Sequence, residues 1–117
     1  MTESPADFEV TRERQDGAFV VRVKGEIDLS THEHLGEELI RAAGEGGPVI
    51  VDLSGCSFID SSGIRALLLG SRAASENGDG PFAIAGATPA VERVLKLTRV
   101  DEAITIYENV DEALASF

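Results

Sequence analysis

The chain has few basic residues, a single cysteine and no long apolar run, and each shortage excludes a class of protein. Ten basic residues against 21 acidic ones leave a net charge of −11. That charge argues against nucleic acid or an anionic membrane surface as the partner and is compatible with a basic protein. The acidic N-terminus does not look like a signal peptide, and no stretch is apolar enough for a membrane, so we expect a cytoplasmic protein. Cys56 has no cysteine to pair with, which fits a reducing compartment.

Strand-like and helix-like patterns alternate along the 117 residues, which suffice for one domain with its own core. Residues 7–24 indicate an opening hairpin turned at Asp16-Gly17, and residues 48–53, 82–85 and 104–107 indicate further strands. The order β-β-α-β-α-β-α-β-α predicts an α/β fold with a mixed, mostly parallel sheet, an N-terminal hairpin and about four helices. Residues 1–6 are expected to be flexible, and residues 7–117 to form the domain.

Three of the predicted helices have recognisable beginnings and apolar faces. Ser30-Thr31-His32-Glu33 matches a capping box at the start of the first, and Thr88-Pro89 is a cap with a first-turn proline for the third. The residues predicted to face the core are Leu35, Leu39, Ile40 and Ala43 in the first helix, Ile64, Leu67, Leu68 and Ser71 in the second, and Val91, Val94, Leu95 and Leu97 in the third.

The most informative stretch is residues 49–65, VIVDLSGCSFIDSSGIR, which predicts a buried strand to residue 53, a polar loop and then a helix. Asp60 is the predicted N-cap, with Ser62 in the first turn. A hydroxyl there is well placed to carry a phosphate, because unpaired amides and the helix dipole favour an anion. Gly63 costs about 1 kcal/mol relative to alanine but lets another surface approach the backbone. The alternative is a purely structural cap and turn.

The usual enzyme motifs are absent around these serines. There is no G-x-S-x-G elbow and no glycine-rich phosphate loop, and Cys56 and Arg65 are too far apart for a cysteine-phosphatase loop. Cys56 is therefore expected to pack as a small apolar residue. His32 and His34 lie two residues apart on a helix, so they do not share a face and are expected at the surface rather than on a metal. We expect a protein that a kinase acts upon, not an enzyme.

Two longer motifs occur together in this chain. The first is Gly25-Glu26-Ile27-Asp28 followed by Ser30-Thr31, and the second runs from Asp52-Leu53-Ser54 to Phe58-Ile59-Asp60-Ser61-Ser62-Gly63-Ile64-Arg65. With weaker matches at residues 89–95 and 111–114, the chain resembles the STAS domain of bacterial anti-sigma factor antagonists over about residues 8–114. It departs from the family at Thr98-Arg99-Val100, where Thr-Gly-Leu is usual and the glycine ends a helix in the left-handed conformation.

The resemblance implies a partner-switching cycle in which Ser62 is the phospho-acceptor. The unphosphorylated antagonist binds an anti-sigma factor that is also a serine kinase, and so releases a sigma factor. Phosphorylation by that kinase turns the antagonist off, and a Mn²⁺- or Mg²⁺-dependent serine phosphatase restores it. The resemblance implies no cofactor, no bound metal and no catalytic machinery in the domain itself.

The partner-binding surface is expected where two strands end, because loops at the carboxyl ends of strands carry function in open α/β sheets. The expected residues are Glu26, Asp28, Ser30, Thr31, Asp60, Ser61, Ser62, Gly63, Ile64 and Arg65, with Ile64 either in the core or at the contact. Two rival interpretations remain open. The domain could be a scaffold that does not switch, or a receiver-type phosphotransfer protein that uses Asp52 or Asp60, although the paired carboxylates and late lysine of that type are not evident.

Overall fold

The structure is a computed structural model that describes residues 7–77 and 80–117. The prediction for residues 1–6, and Gly78 as part of a helix stop, lie outside the described residues. The strands are β1 (Glu9–Gln15), β2 (Ala18–Ile27), β3 (Val49–Ile59), β4 (Phe82–Ala85) and β5 (Thr105–Tyr107). The helices are α1 (His32–Gly44), α2 (Ser61–Glu76), α3 (Pro89–Leu97), α4 (Val100–Ala103) and α5 (Val110–Ala115).

The five strands form one sheet in the order β1-β2-β3-β4-β5. β1 and β2 are the predicted antiparallel hairpin, and its turn residues Asp16 and Gly17 both have positive φ, 52° and 86°. The other neighbouring pairs are parallel, each joined through helical structure on the sheet's face. The predicted α/β class with a mixed, mostly parallel sheet is therefore confirmed, and the described residues contain five helices in place of about four.

Helices cover the two faces of the sheet unequally. The main core lies between the sheet and α1 to α4, and its large buried side chains include Leu35, Leu39, Leu53, Leu67, Ile84 and Leu95. A smaller core on the opposite face joins Ala18, Ile50 and Ala85 to Ala113 of α5. Within β3, Val49 and Val51 belong to the first core and Ile50 to the second, as expected for a strand covered on both faces.

The strands β2 and β3 run further than predicted, to Ile27 and Ile59, and no separate polar loop follows Leu53. The pairing of β2 with β3 continues through two register shifts, so that the paired stretch contains two more residues of β3 than of β2. These bulges replace the two-residue alternation by a three-residue one, in which Leu53, Cys56 and Ile59 are buried and the residues between them are exposed. A three-residue period does not resemble a strand in the sequence.

Some apolar residues predicted to face the core are exposed. Ile40, Leu68 and Leu97 are 50%, 40% and 74% exposed. In α1 the buried residues after Leu39 are Ala42 and Ala43, and in α2 the buried stripe continues from Leu67 to Gly70. Each exposed residue lies just outside a narrower buried stripe than its helix was predicted to have.

The departure from the family at residues 98–100 is accommodated by the arginine itself. Arg99 has φ +64° and ψ +24°, the left-handed conformation that glycine adopts more easily. Its amide donates to the carbonyl of Lys96 at 3.1 Å, which ends α3. The chain then turns directly into the short α4, which begins at the buried Val100 and was not predicted.

Candidate functional site

The two predicted site segments meet at one edge of the sheet because their strands are paired. Ile27 and Ile59 are register partners at the ends of the parallel strands β2 and β3. The next residue in each case is an aspartate, Asp28 or Asp60. The Asp60 amide donates to the Ile27 carbonyl at 3.2 Å, which ties the second segment to the first. The carboxyl ends of β2 and β3 thus carry both segments side by side.

Asp60 caps α2 as its sequence predicts. One carboxylate oxygen, Oδ1, accepts from the amide of Ser62 at 2.9 Å and from that of Gly63 at 3.2 Å. The Ser62 hydroxyl donates to the same oxygen at 2.5 Å. These bonds to the charged form, that of the Ser62 side chain first, lower the pKa of Asp60 below its usual value. The carboxylate is therefore ionised at neutral pH, and it already occupies the amides that a phosphate on Ser62 was expected to use.

The first segment repeats this arrangement around Asp28. The amide and the hydroxyl of Ser30 both donate to Asp28 Oδ1, at 3.0 and 2.8 Å. The Ser30 hydroxyl is the main cause that lowers the pKa of Asp28. Asp-x-Ser thus occurs twice at this edge, and each serine binds the aspartate two residues before it. Asp28 is also close enough to Asp60 for its negative charge to oppose the lowering of the Asp60 pKa.

The capping box predicted at the start of α1 is wrong. Thr31, not Ser30, precedes the first helical residue, and its side chain makes no capping bond. Its hydroxyl instead donates to the Glu26 carbonyl at 2.7 Å and accepts from the Asp28 amide at 2.9 Å. Thr31 is only 2% exposed. It therefore holds the loop between β2 and α1 together from within and cannot be a direct contact for a partner through its side chain.

Gly63 and Ile64 face the interior. A Cβ added at Gly63 would lie 2.6 Å from Ile59 Cγ1 and 2.7 Å from Ile27 Cγ2. The close approach that this glycine permits is therefore to the protein's own core, and not to another molecule as its sequence position suggested. Ile64 was predicted to lie either in the core or at the contact with a partner. It is only 7% exposed, so most of its side chain belongs to the core.

The accessible part of the site is a groove beside the two serines. Ser61 and Arg65 are exposed and Ser62 is half-buried. The groove has a volume of about 450 Å³ and is lined by Leu29, His32, Ser61, Ser62, Ile64, Arg65 and Leu68. Leu29 is 78% exposed and was not among the predicted site residues. A single leucine between Asp28 and Ser30 in a polar loop was the signal that could have identified it.

The other predicted carboxylate, Asp52, does not join this site. It lies within β3, where Oδ1 accepts from the Ser54 amide at 2.9 Å and Oδ2 pairs with Arg22 Nε at 3.3 Å. Arg22 also pairs with Glu13, so Asp52 belongs to an ion-pair chain across β1, β2 and β3. Within residues 7–77 and 80–117, no three His, Cys, Asp or Glu side chains are grouped so that they could hold a metal ion.

Cys56 is buried behind the site, as predicted for a small apolar residue. Its thiol donates to the Phe58 carbonyl at 3.3 Å, and burial raises its pKa. The thiol is therefore protonated and enclosed, which suits packing and not nucleophilic chemistry. In the described part of the chain, no helix has both the length and the apolar character needed to cross a membrane.

Comparison with known proteins identifies the family of this chain. The model of the STAS domain family matches residues 9–113, so the chain belongs to that family. An anti-sigma F factor antagonist from Paenibacillus polymyxa is 27% identical over 112 residues, which cover 92% of this chain and 93% of the relative.

Solved structures that share the fold include the two that follow. An anti-sigma factor antagonist from Mycobacterium paratuberculosis is 27% identical and superposes with a TM-score of 0.86 over 98% of this chain and 97% of its own. The phosphorylated form of the Bacillus cell fate determinant SpoIIAA has a TM-score of 0.66 at 20% identity, with 93% and 97% of the two chains covered. At that identity the likeness is one of fold.

Proposed function

We propose that this STAS domain protein is an anti-sigma factor antagonist that is switched off by phosphorylation at Ser62. The observation that carries the proposal is the Ser62 hydroxyl, which lies in the first turn of α2, half-buried, beside an open groove and in the Asp-Ser-Ser-Gly sequence of its family. The similar proteins from Paenibacillus polymyxa and Mycobacterium paratuberculosis carry the name of antagonist. A protein of the same fold is known in a phosphorylated form.

In this proposal the domain is a substrate and a binding partner, and not an enzyme. The unmodified protein binds an anti-sigma factor in the cytoplasm, and that anti-sigma factor is the serine kinase that transfers phosphate from ATP. A metal-dependent serine phosphatase reverses the modification. The groove with Ser62, Arg65 and Leu29 supports this role, because it offers a partner both apolar surface and hydrogen-bonding groups next to the modified hydroxyl.

The phosphate acts locally. The protein already carries −11, so an added charge of about −1.5 to −2 changes the long-range field little. At the groove, however, a dianion has to be desolvated when the partner binds, and any partner carboxylate or nucleotide phosphate there repels it. A hundredfold loss of affinity corresponds to only about 2.7 kcal/mol, which one poorly accommodated charge supplies.

Phosphorylation of matched serine variants tests the site. The wild-type protein, Ser62→Ala and Ser61→Ala are each incubated with ATP and the cognate anti-sigma kinase, and their masses are measured intact. We expect one phosphate on the wild type and on Ser61→Ala, and none on Ser62→Ala. Alanine is tolerated in a first helical turn, and Ser61 differs from Ser62 in being exposed and making no bond to Asp60. Phosphate mainly on Ser61, or none on the wild type, would contradict the proposal.

The affinity for the kinase tests the switch. Stoichiometrically phosphorylated protein and Ser62→Asp should each bind it more weakly than the unmodified protein, the former by about a hundredfold. Amide chemical shifts should change mainly in residues 26–31 and 58–66. Equal affinity of the two forms would favour a scaffold that does not switch. Modification by a small phosphodonor and Mg²⁺ without kinase would favour a receiver-type protein.

A further inference from the structure

We propose that Asp60 is a positioning residue for the phosphorylation of Ser62, beyond its role as the cap of α2; this rests on the function proposed above. A cap needs a carboxylate that accepts from amides, and Asp60 accepts from those of Ser62 and Gly63. The additional bond is the one from the Ser62 hydroxyl, which at 2.5 Å is the shortest of the three. This third bond fixes the rotation of the hydroxyl that receives the phosphate.

The direction of that bond determines how the hydroxyl meets a phosphoryl donor. The Ser62 hydroxyl hydrogen points at Asp60 Oδ1, so the lone pairs of the Ser62 oxygen are directed away from the carboxylate. A hydrogen bond to an ionised acceptor is stronger than one to a neutral acceptor, so a freely rotating hydroxyl becomes an oriented one. Holding an attacking group in one orientation accelerates a reaction without strengthening substrate binding.

The chemical step itself balances with the groups named. The Ser62 oxygen forms a bond to the γ-phosphorus of ATP, the bond from that phosphorus to the bridging oxygen breaks, and ADP leaves with the electron pair. The hydroxyl proton passes to water as the new bond forms. Before the step, Asp60 accepts a hydrogen bond from this hydroxyl. The carboxylate is nevertheless a poor final acceptor of the proton, since its hydrogen bonds stabilise the ionised form.

After the phosphate has been transferred, the Asp60 carboxylate lies next to a phosphate ester instead of a hydroxyl. The ester oxygen of phosphorylated Ser62 has no hydrogen to donate, so the bond to Asp60 is lost and a phosphate dianion stands beside an ionised carboxylate. The amides of Ser62 and Gly63 remain held by Asp60 Oδ1, so the phosphate finds them occupied. Like charges at close range favour protonation, so Asp60 should raise the second pKa of the phosphate.

Asp60→Asn keeps the cap and weakens the bond that orients the hydroxyl. Asparagine is as good an N-cap as aspartate, but its neutral oxygen is a weaker acceptor for the Ser62 hydroxyl than a carboxylate is. Asp111→Asn is the matched control: it makes the same substitution at an exposed aspartate in the first turn of α5, on the opposite face of the sheet, and Asp111 makes no bond to Ser62. The kinase and ATP are supplied to each full-length variant, and kcat and KM for the protein substrate are determined by intact mass. Urea unfolding of each variant checks the fold.

We expect Asp60→Asn to lower kcat at least tenfold with KM changed less than threefold, and Asp111→Asn to keep kcat within twofold of the wild type. In the phosphorylated proteins, ³¹P NMR titration should give a phosphate pKa at least half a pH unit lower for Asp60→Asn than for the wild type. An unchanged kcat, a loss confined to KM, or equal phosphate pKa values would overturn the proposal. If the wild type itself is not phosphorylated, the proposed function fails, and this proposal with it.

Discussion

Replacing Gly63 by alanine should destabilise the domain, although alanine is the better helix former. The added Cβ would lie 2.6 Å from Ile59 Cγ1 and 2.7 Å from Ile27 Cγ2, where carbon atoms at contact are normally about 3.5–4.0 Å apart. Both isoleucines are buried at the paired ends of β2 and β3, and their branched side chains have few alternative rotamers. Overpacking of this kind costs about 1–3 kcal/mol, and two simultaneous contacts place it near the upper value.

The gain in helix propensity, about 1 kcal/mol, offsets part of that cost. We therefore expect Gly63→Ala to lower the free energy of unfolding by about 2 kcal/mol. For a domain of this size that corresponds to a fall in Tm of roughly 8 °C. Urea and thermal unfolding should be followed by circular dichroism, because the chain has no tryptophan.

Gly36→Ala in α1 is the matched control. Its Cβ would meet only the Cβ of Ala66, at 4.0 Å, which is an ordinary contact. We expect it to stabilise the domain by about 0.5–1 kcal/mol, the value of propensity without overpacking. If Gly63→Ala proved as stable as the wild type while Gly36→Ala behaved as expected, the argument that Gly63 is required by close packing against the strand ends would be refuted.

Two further predictions concern the same edge of the sheet. Thr31→Val should lower the free energy of unfolding in urea by about 1–3 kcal/mol, because the Glu26 carbonyl and the Asp28 amide lose their partner, whereas Thr31→Ser keeps the hydroxyl and should cost less. Because the pKa of Asp60 is lowered by folding, its stabilising contribution is fully present above the unfolded pKa of about 3.9 and is lost as the pH falls through the folded pKa. Asp60→Asn should accordingly flatten the decline in stability below about pH 4 in an acid titration, and an unchanged decline would refute this assignment.

The order of the elements other than α4 could be predicted because each of them has a clear local signal. The hairpin turn at Asp16-Gly17 and the cap at Thr88 depend on residues within a few positions of each other, and both form as predicted. The lengths of β2 and β3 could not be predicted, since their bulges arise from pairing between strands that are distant in sequence. The helix α4 was missed because it is short and follows Arg99, which adopts an unusual backbone conformation for a non-glycine residue.

In the candidate site, too, a feature set by neighbouring residues could be predicted, and a feature that depends on tertiary structure could not. The cap by Asp60 is a local pattern and formed as predicted, with its carboxylate on the amides of Ser62 and Gly63. The capping box was wrong because the Thr31 hydroxyl had a competing partner, the Glu26 carbonyl, whose position depends on where β2 ends. Side chains of serine and threonine often have several backbone partners within reach, and tertiary structure decides among them.

If Ser62 is phosphorylated as proposed, the arrangement of charges at this edge predicts that the phosphate changes partner binding and leaves the fold unchanged. Asp28 and Asp60 are both ionised and already hold the nearby backbone amides, so a phosphate has no empty cradle behind it. We therefore expect it to extend outward into the groove, whose lining includes the exposed Leu29 and Leu68. A groove lined by both apolar and hydrogen-bonding side chains then contains a dianion that a partner can cover only by desolvating it. The core beneath, which begins at Gly63, is not required to move.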